Sequence, residues 1–250
     1  MTGGCSSFKY IETALNTTKL DAGLNCDEVV DRLKAHSDSA AVAGMARFGI
    51  NPSNTLGVSI PVIRRMAKQI GRDHRLAQEL WASQIHEARI LATMIDDPQK
   101  VTATQMEGWV KDFDSWDVCD QCCSNLFDKT PFAFQKAFDW SSRKEEFVKR
   151  AAFALMAALA VHDKQAKNSQ FESLLPIIER ESVDDRNFVK KAVNWALRQI
   201  GKRNLPLNRL ALKTAKQILE KKSSSARWIA SDAIRELTSP SVRKKIRKTR

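Results

Sequence analysis

The sequence has few of the residues that mark strands and turns, with 9 glycines and 7 prolines among 250 residues. Alternating runs of β-branched residues are scarce, which excludes a fold built mainly of strands. No apolar run approaches the roughly 20 residues that a membrane span needs, and no basic-then-apolar signal segment opens the chain. The sequence therefore predicts no membrane partner and a cytoplasmic protein that is not secreted, associated with the nucleoid if the host is prokaryotic.

Cysteine is also scarce, and its pattern does not fit a disulfide framework, because the number is odd and three residues are crowded together. The five are Cys5, Cys26, Cys119, Cys122 and Cys123. Zinc binding is the alternative use of the crowded three, but no second Cys or His pair stands at finger-like spacing. We expect reduced, buried thiols that pack a helix, and no metal. Glycine-rich phosphate loops are absent, and no cofactor is expected.

Positive charge, in contrast, is abundant and unevenly distributed. The net charge is +12; residues 1–140 carry 15 Lys and Arg against 18 Asp and Glu, whereas residues 141–250 carry 26 against 11. A cationic surface of this kind gains free energy from counterion release on a phosphate backbone. Nucleic acid is therefore the expected partner, and the alternative is a solvated surface that maintains solubility.

A period of 3.6 residues recurs along the chain and predicts an all-α fold. Phe188, Ala192, Trp195 and Ile200 fall near one stripe of a helix, with Lys and Arg between them. Residues 147–160 are apolar nearly all round after Arg150, as expected of a buried helix.

Helix pairs begin near residues 60, 104, 145, 184 and 225. Intervals of about 40 residues are typical of two-helix HEAT-like repeats, which stack into an α-α superhelix with a concave binding face. We therefore expect a HEAT-like solenoid with a basic concave groove, and a monomer. Residues 26–240 would form this single domain, residues 1–25 an N-terminal arm or short helix, and residues 241–250 a basic tail, of which residues 243–250 are too charged to pack.

Two segments carry the residues most suited to chemistry. Residues 112–120 contain four carboxylates, and Trp116 and Asp120 stand one helical turn apart, which places an indole beside a carboxylate. Trp195 lies among cations in residues 188–198. Each Trp could equally be a core edge or an anchor between repeats. The functional interpretation is an aromatic face offered to a cationic or electron-poor partner, with neighbouring Lys and Arg on phosphates.

Three segments in register resemble the AlkD-type DNA alkylation-repair glycosylases: residues 116–120 (WDVCD), 147–152 (FVKRAA) and 188–198 (FVKKAVNWALR). Residues 57–65 (GVSIPVIRR) and 227–234 (RWIASDAI) are similar to the family in the same order. The resemblance covers roughly residues 28–238. It implies a HEAT-like solenoid that removes 3- and 7-alkylated purines from duplex DNA without burying the lesion in a flipped-base pocket, unlike most such enzymes.

The resemblance also implies roles for individual residues. Trp116 and Trp195 would hold the deoxyribose and backbone of the damaged nucleotide, Asp120 would be the catalytic carboxylate, and Arg150 would contact the DNA beside them. Such chemistry needs no metal or organic cofactor, because an alkylated purine is cationic and already a good leaving group. We further expect DNA contacts from seven other cations: Lys149, Lys190, Lys191, Arg198, Lys202, Arg203 and Arg227.

One departure from the family pattern concerns the early helix, where Gly44 stands at the position of a Tyr that family members often carry before Met45. The wall on the lesion side would be more open, which puts substrate range and rate in doubt. Some relatives bind DNA without strong glycosylase activity, so the alternative function is a non-catalytic helical-repeat protein that binds distorted or branched DNA. A protein-binding scaffold is a third possibility, but it leaves the excess positive charge unexplained.

Overall fold

The structure is a computed structural model that describes residues 24–248, and within them it contains α-helices, one short 3₁₀ helix and no strand. Most of the predicted N-terminal arm, residues 1–23, lies outside the described residues. The helices in chain order are α1 (Cys26–Lys34), α2 (Ser39–Arg47), α3 (Ile60–Ile70), α4 (His74–Ala82), α5 (His86–Ile95), α6 (Ala103–Lys111), α7 (Trp116–Asn125), the 3₁₀ helix (Phe127–Lys129), α8 (Ala133–Ser141), α9 (Glu146–His162), α10 (Asn168–Glu172), α11 (Leu175–Glu181), α12 (Asn187–Gly201), α13 (Leu205–Leu219), α14 (Ser224–Leu237) and α15 (Pro240–Lys248).

The helices pack in two layers. In one layer α3, α5, α7, α9, α12 and α14 follow one another, and each packs against the next. In the second layer α4 packs on α5, α8 packs on α9, and α13 packs on both α12 and α14. Stacked layers of this kind bury a continuous core that no single helix pair could bury alone.

Helices start close to all five predicted positions, but only four of these helices belong to the first layer. The helices of the first layer start at Ile60, His86, Trp116, Glu146, Asn187 and Ser224. The intervals are thus about 30 residues and then about 40, rather than uniformly about 40. The helix predicted near residue 104 is α6, which lies outside this layer. Periodicity identifies a helix, but it does not indicate the layer to which the helix belongs.

The centre of the core is α9, as the sequence predicted. Every residue from Ala151 to Ala160 is buried. Its many alanines leave room for α7, α8 and α12, all of which pack against it. Because α7 and α12 share this neighbour, residues far apart in sequence come to lie near one another on the same layer.

Tryptophan, of which the chain has six, is divided between core and surface. Trp81, Trp109 and Trp140 are buried, and the first two stack with ring centroids 4.0 Å apart. The remaining three are partly exposed, and two of these, Trp116 and Trp195, are the ones that the sequence analysis assigns to function. Trp116 and Trp195 are therefore not fully buried in the core.

The C-terminal segment departs from expectation. The described part of the predicted tail belongs to α15, which packs against α14. Val242 and Ile246 are 6% and 2% exposed. They stand one helical turn apart and form an apolar face among the cations, so the expectation that this segment is too charged to pack is wrong. No helix in residues 24–248 is both long and apolar enough to cross a membrane.

Candidate functional site

A cavity of about 550 Å³ opens where α5, α7 and α12 meet the segment that joins α2 to α3. This volume is in the range of small-molecule pockets. Trp116, Asp120 and Trp195 all line it. The first two share a face of α7, and Trp195 reaches the same wall because α7 and α12 both pack on α9. The structure thus brings together the three side chains that the sequence analysis selected.

The cavity differs in charge from the protein around it. Among its lining residues in the described chain there is no Lys or Arg, although the net charge of the chain is +12. Three carboxylates are present instead, those of Glu87, Asp117 and Asp120, together with the two indoles and a single histidine, His86, which bonds to Asp117. An anionic and aromatic wall favours a cationic or electron-poor group over a phosphate.

The Asp120 carboxylate is held by Arg150 of α9. Arg150 Nε donates to Asp120 Oδ1 at 3.0 Å and Nη2 donates to Oδ2 at 2.7 Å, a bidentate pair. The third guanidinium nitrogen, Nη1, donates to the Phe188 carbonyl at 2.6 Å, which links α7, α9 and α12. The Arg150 side chain is 7% exposed and that of Asp120 is 19% exposed. Asp120 therefore remains open to the cavity while its counter-ion is buried behind it.

Burial and pairing with Arg150 shift the pKa of the Asp120 carboxyl in opposite directions. Burial, reinforced by the charge of Asp117, raises the pKa of Asp120 above its ordinary value, while the charge and hydrogen bonds of Arg150 counter part of that rise. Burial disfavours the Arg150 cation as well, but Asp120 outweighs it and raises the pKa of Arg150. Arg150 consequently stays charged and keeps Asp120 oriented.

Trp116, the first residue of α7, is fixed on two sides. Its Nε1 donates to the Phe48 carbonyl at 3.1 Å, and Arg150 Cζ lies 5.8 Å from its ring centroid. The residue before it, Ser115, is fully buried, and its hydroxyl accepts a hydrogen bond from Asn51 N at 3.0 Å. The indole is therefore positioned by contacts from three parts of the chain.

Trp195 combines both interpretations that the sequence left open. It is half-buried and packs against the hydrophobic core, beside the buried Ala192 and Ala196 on α12. It also lines the cavity. One edge of the indole thus anchors α12, and the rest is available to a ligand.

A buried ion pair beside Asp120 was missed by the sequence analysis. His86, at the start of α5, is 4% exposed, and its Nε2 lies 2.9 Å from Asp117 Oδ2. Burial lowers the pKa of His86, but the hydrogen bond and charge of Asp117 outweigh burial, and the net direction is upward. The two residues are 31 positions apart on different helices, so no local signal in the sequence joins them.

Glu87, also missed, shapes the cavity through the backbone. It is fully buried, and its carboxylate accepts hydrogen bonds from Leu56 N, Gly57 N and Val58 N, at 2.9, 2.7 and 3.2 Å. Gly57 has a φ of +81°, and a Cβ there would lie 2.2 Å from the Asp38 carbonyl oxygen. Only glycine fits this approach, and Glu87 thus fixes the segment between α2 and α3 as one wall of the cavity.

Several cations predicted to contact DNA have partners within the protein. Lys149 Nζ lies 2.7 Å from Glu181 and 3.3 Å from Asp184. On the next pair of helices, Arg198 and Lys202 both bind Glu236, at 2.5 and 2.6 Å. These three side chains join neighbouring helices, and their roles toward DNA stay predictions.

Arg203 and three other predicted cations lie in different surroundings. Arg203 donates to the carbonyls of Ala160 and Ala166 and stacks on Phe171, and these contacts connect the ends of α9 and α12. The ammonium of Lys190 lies 5.5 Å from the Trp228 ring centroid. Lys191 and Arg227 are exposed. The last three cations are the ones best placed to reach a partner.

The space at Gly44 is open, and whether this opens the lesion side of the site stays a prediction. A Cβ built there would have only Arg47 Nη2 within 4 Å, at 4.0 Å. The neighbouring residues Ala41 and Met45 line the cavity.

The crowded cysteines are buried in α7, which agrees with the interpretation of packing thiols. Cys119 Sγ donates to the Phe147 carbonyl at 3.8 Å and Cys123 Sγ donates to the Ala151 carbonyl at 3.5 Å, both on α9. Burial raises the pKa of the Cys122 and Cys123 thiols well above the ordinary value. Among the described residues, no three His, Cys, Asp or Glu side chains are grouped to hold a metal ion.

Comparison with known proteins gives two matches. A family model described as DNA alkylation repair enzyme matches residues 29–237. One solved structure, from a new family of proteins related to the HEAT-like repeat DNA glycosylases with affinity for branched DNA structures, is similar with a TM-score of 0.72. It is 20% identical, and the match covers 85% of this chain and 95% of that one. The HEAT-like fold predicted from the sequence is thereby confirmed. No curated protein was found to match the sequence.

Proposed function

Because the chain belongs to the DNA alkylation repair enzyme family, we propose that it is a DNA N-glycosylase that excises cationic N3- and N7-alkylated purines from duplex DNA. The observation that carries this proposal is the cavity wall, where the Asp120 carboxylate and the Trp116 and Trp195 indoles lie together and Arg150 lies behind Asp120, so that no Lys or Arg among the described residues lines the cavity. A site that bound only phosphates would need the opposite charge.

This wall suits the charge that develops in the reaction. Alkylation at N3 or N7 makes the purine a cation, so breaking the glycosidic bond requires little acid catalysis. The sugar becomes oxocarbenium-like, and a fixed carboxylate and aromatic faces stabilise such a cation. No metal or organic cofactor is needed for a leaving group that already carries positive charge.

Asp120 acts on water as well as on the sugar. An ionised carboxylate offers about four acceptor positions, and Arg150 occupies two of them. A water bound to a remaining position attacks C1′ as the C1′–N9 bond breaks. The electrons of that bond neutralise the purine, and the proton of the water passes to Asp120. Arg150 is the positioning residue that aims the carboxylate.

The DNA backbone would bind around the cavity rather than in it. Lys190, Lys191 and Arg227 are the candidate phosphate contacts, because they lie on α12 and α14 and are not tied to a carboxylate among the described residues. We further propose that the protein acts as a monomer on genomic DNA inside the cell, on the nucleoid if the host is prokaryotic.

A second candidate function is binding of branched or distorted DNA without catalysis. It is favoured by the similar structure, whose family has affinity for branched DNA, and by the open space at Gly44. In this case the Asp120–Arg150 pair would serve only to join helices.

Release of free base separates the two functions. Duplex DNA containing 7-methylguanine is incubated with the wild-type protein, with Asp120→Asn and with Asp185→Asn, an exposed carboxylate that serves as the control. We expect base release by the wild type and the control, and a rate about 10²–10³-fold lower for Asp120→Asn, the usual effect of removing one electrostatic group. Tight binding with no release by any of the three proteins would refute the glycosylase.

A further inference from the structure

The corner that ends α2, residues 47–50, carries the most exposed large apolar side chain of the described residues. Phe48 is 73% exposed, and the next, Val183, is 50% exposed. Isolated apolar side chains are common on protein surfaces. A whole phenyl ring in water, however, forgoes the free energy of burial, and its position beside the cavity suggests that a partner covers it.

The backbone of this corner is rigidly built. Gly49 N donates to the Ala46 carbonyl at 3.0 Å and Ile50 N donates to the Met45 carbonyl at 3.3 Å, the two bonds of a Schellman motif. Gly49 has a φ of +78°, and a Cβ there would lie 2.6 Å from Phe188 Cζ. The corner therefore rests directly on α12, and its backbone is fixed at Phe48.

The same corner is tied to the cavity. The Phe48 carbonyl accepts the Trp116 indole hydrogen bond at 3.1 Å, so the main chain of Phe48 faces the site. Met45 and Ile50, on either side of it in sequence, line the cavity. Phe48 therefore lies at the edge of the site, with its main chain fixed to the indole and its side chain exposed.

A cation accompanies the exposed ring. Arg47, the last residue of α2, is exposed and has no hydrogen-bond or ion-pair partner within residues 24–248. A free guanidinium next in sequence to an exposed aromatic ring offers one group to a phosphate and the other to a base. Proteins that insert apolar side chains between base steps of DNA use this combination.

We propose that Phe48 is a wedge that stacks on an exposed base pair where duplex DNA is opened, while Arg47 binds the adjacent phosphate. The proposal rests on the proposed function only in taking DNA as the partner. Insertion into an intact duplex requires unstacking of a base step, which is unfavourable. A branched duplex already offers an open step, so Phe48 confers a preference for opened over intact DNA.

The test compares binding to an undamaged three-way junction and to an intact duplex of equal length, each with 2-aminopurine at the equivalent step. The full chain is used as wild type, Phe48→Ala, Phe48→Trp and Leu219→Ala; Leu219 is 43% exposed on α13, outside the site. Phe48→Ala should weaken junction binding about tenfold, the typical loss of one base–aromatic stack. Its duplex binding should change less than about twofold. Phe48→Trp and Leu219→Ala should bind as the wild type does.

Fluorescence and stability complete the test. Binding of the wild type should change the 2-aminopurine fluorescence of the junction, and binding of Phe48→Ala should not. Unchanged junction affinity, an equal loss on both DNAs, or an equal loss in Leu219→Ala would overturn the wedge. A lower melting temperature for Phe48→Ala would overturn it too, because the ring would then be covered by the protein itself.

Undamaged DNA keeps this result separate from the glycosylase. A wild type that releases no 7-methylguanine but needs Phe48 for its junction preference would refute the glycosylase and leave the wedge intact. If the wild type releases base but Phe48→Ala binds the junction as well as the wild type does, the glycosylase is supported and the wedge is refuted.

Discussion

The Arg150–Asp120 pair allows a quantitative check on the architecture of the site. Arg150→Met replaces the guanidinium by an apolar side chain of similar length and leaves Asp120 without a counter-ion. Two charge-assisted hydrogen bonds, of 3.0 and 2.7 Å, are lost. The bond to the Phe188 carbonyl is lost as well. Removing one partner of a buried ion pair costs about 3–5 kcal/mol.

Because Asp120 is partly exposed, the expected loss in free energy of unfolding lies toward the lower end of this range. Its side chain is 19% exposed, so water solvates part of the unpaired carboxylate. We expect Arg150→Met to lower the free energy of unfolding by about 3 kcal/mol at pH 7. The double variant Asp120→Leu, Arg150→Met removes both charges, and it should return to within about 1 kcal/mol of the wild type.

Urea denaturation followed by far-ultraviolet circular dichroism measures all four proteins of the cycle, including Asp120→Leu alone. Acidification gives an independent check. Burial raises the pKa of Asp120, and without Arg150 it should rise further. Asp120 in the folded variant then binds a proton more readily than in the unfolded chain. The loss in free energy of unfolding of Arg150→Met, relative to the wild type, should therefore become smaller as the pH falls. A loss below about 1 kcal/mol for Arg150→Met, or simple additivity in the double variant, would refute the buried pair.

Two further predictions concern charges around the site. Lys190→Ala should reduce the slope of log affinity against log salt for duplex DNA by about 0.9, whereas Lys149→Ala should leave it unchanged, because Glu181 and Asp184 hold that ammonium. Equal slopes for both variants would contradict this assignment. Pairing with Asp117 raises the pKa of His86. The pair therefore stabilises the folded protein fully at a pH below the pKa of His86 in the unfolded chain, about 6.5, and this stabilisation is lost as the pH rises through the pKa of His86 in the folded protein. The melting temperature of the wild type should therefore exceed that of His86→Asn more at pH 6 than at pH 9; the opposite trend would rule out the pair.

Local pattern was sufficient for much of the fold. Burial of α9 follows from an apolar run that leaves no polar face, and the helix starts near residues 60, 145, 184 and 225 follow from periodicity. The adjacency of Trp116 and Asp120 follows from helix geometry alone. These features depend on residues within a few turns of one another, and the physics that sets them is local.

The local sequence pattern could not predict which layer each helix belongs to or which residues pack against one another. The helix predicted near residue 104 is α6, and periodicity could not show that it lies outside the first layer. Val242 and Ile246 are too sparse among cations to indicate a core face, yet both are buried in α15, which packs on α14. Periodicity likewise did not indicate which tryptophans the core would bury.

The sequence by itself determined an all-helical, strongly basic chain with Trp116 and Asp120 on one face of a helix. Only the tertiary structure decided which charges remain free for a partner. Arg150 binds Asp120 and Lys149 binds Glu181, across 30 and 32 residues. His86 meets Asp117 across 31 residues. The physical reason is that an ion pair depends on the distance between two side chains, and that distance is set by how successive helices stack, which spacing along the chain does not encode.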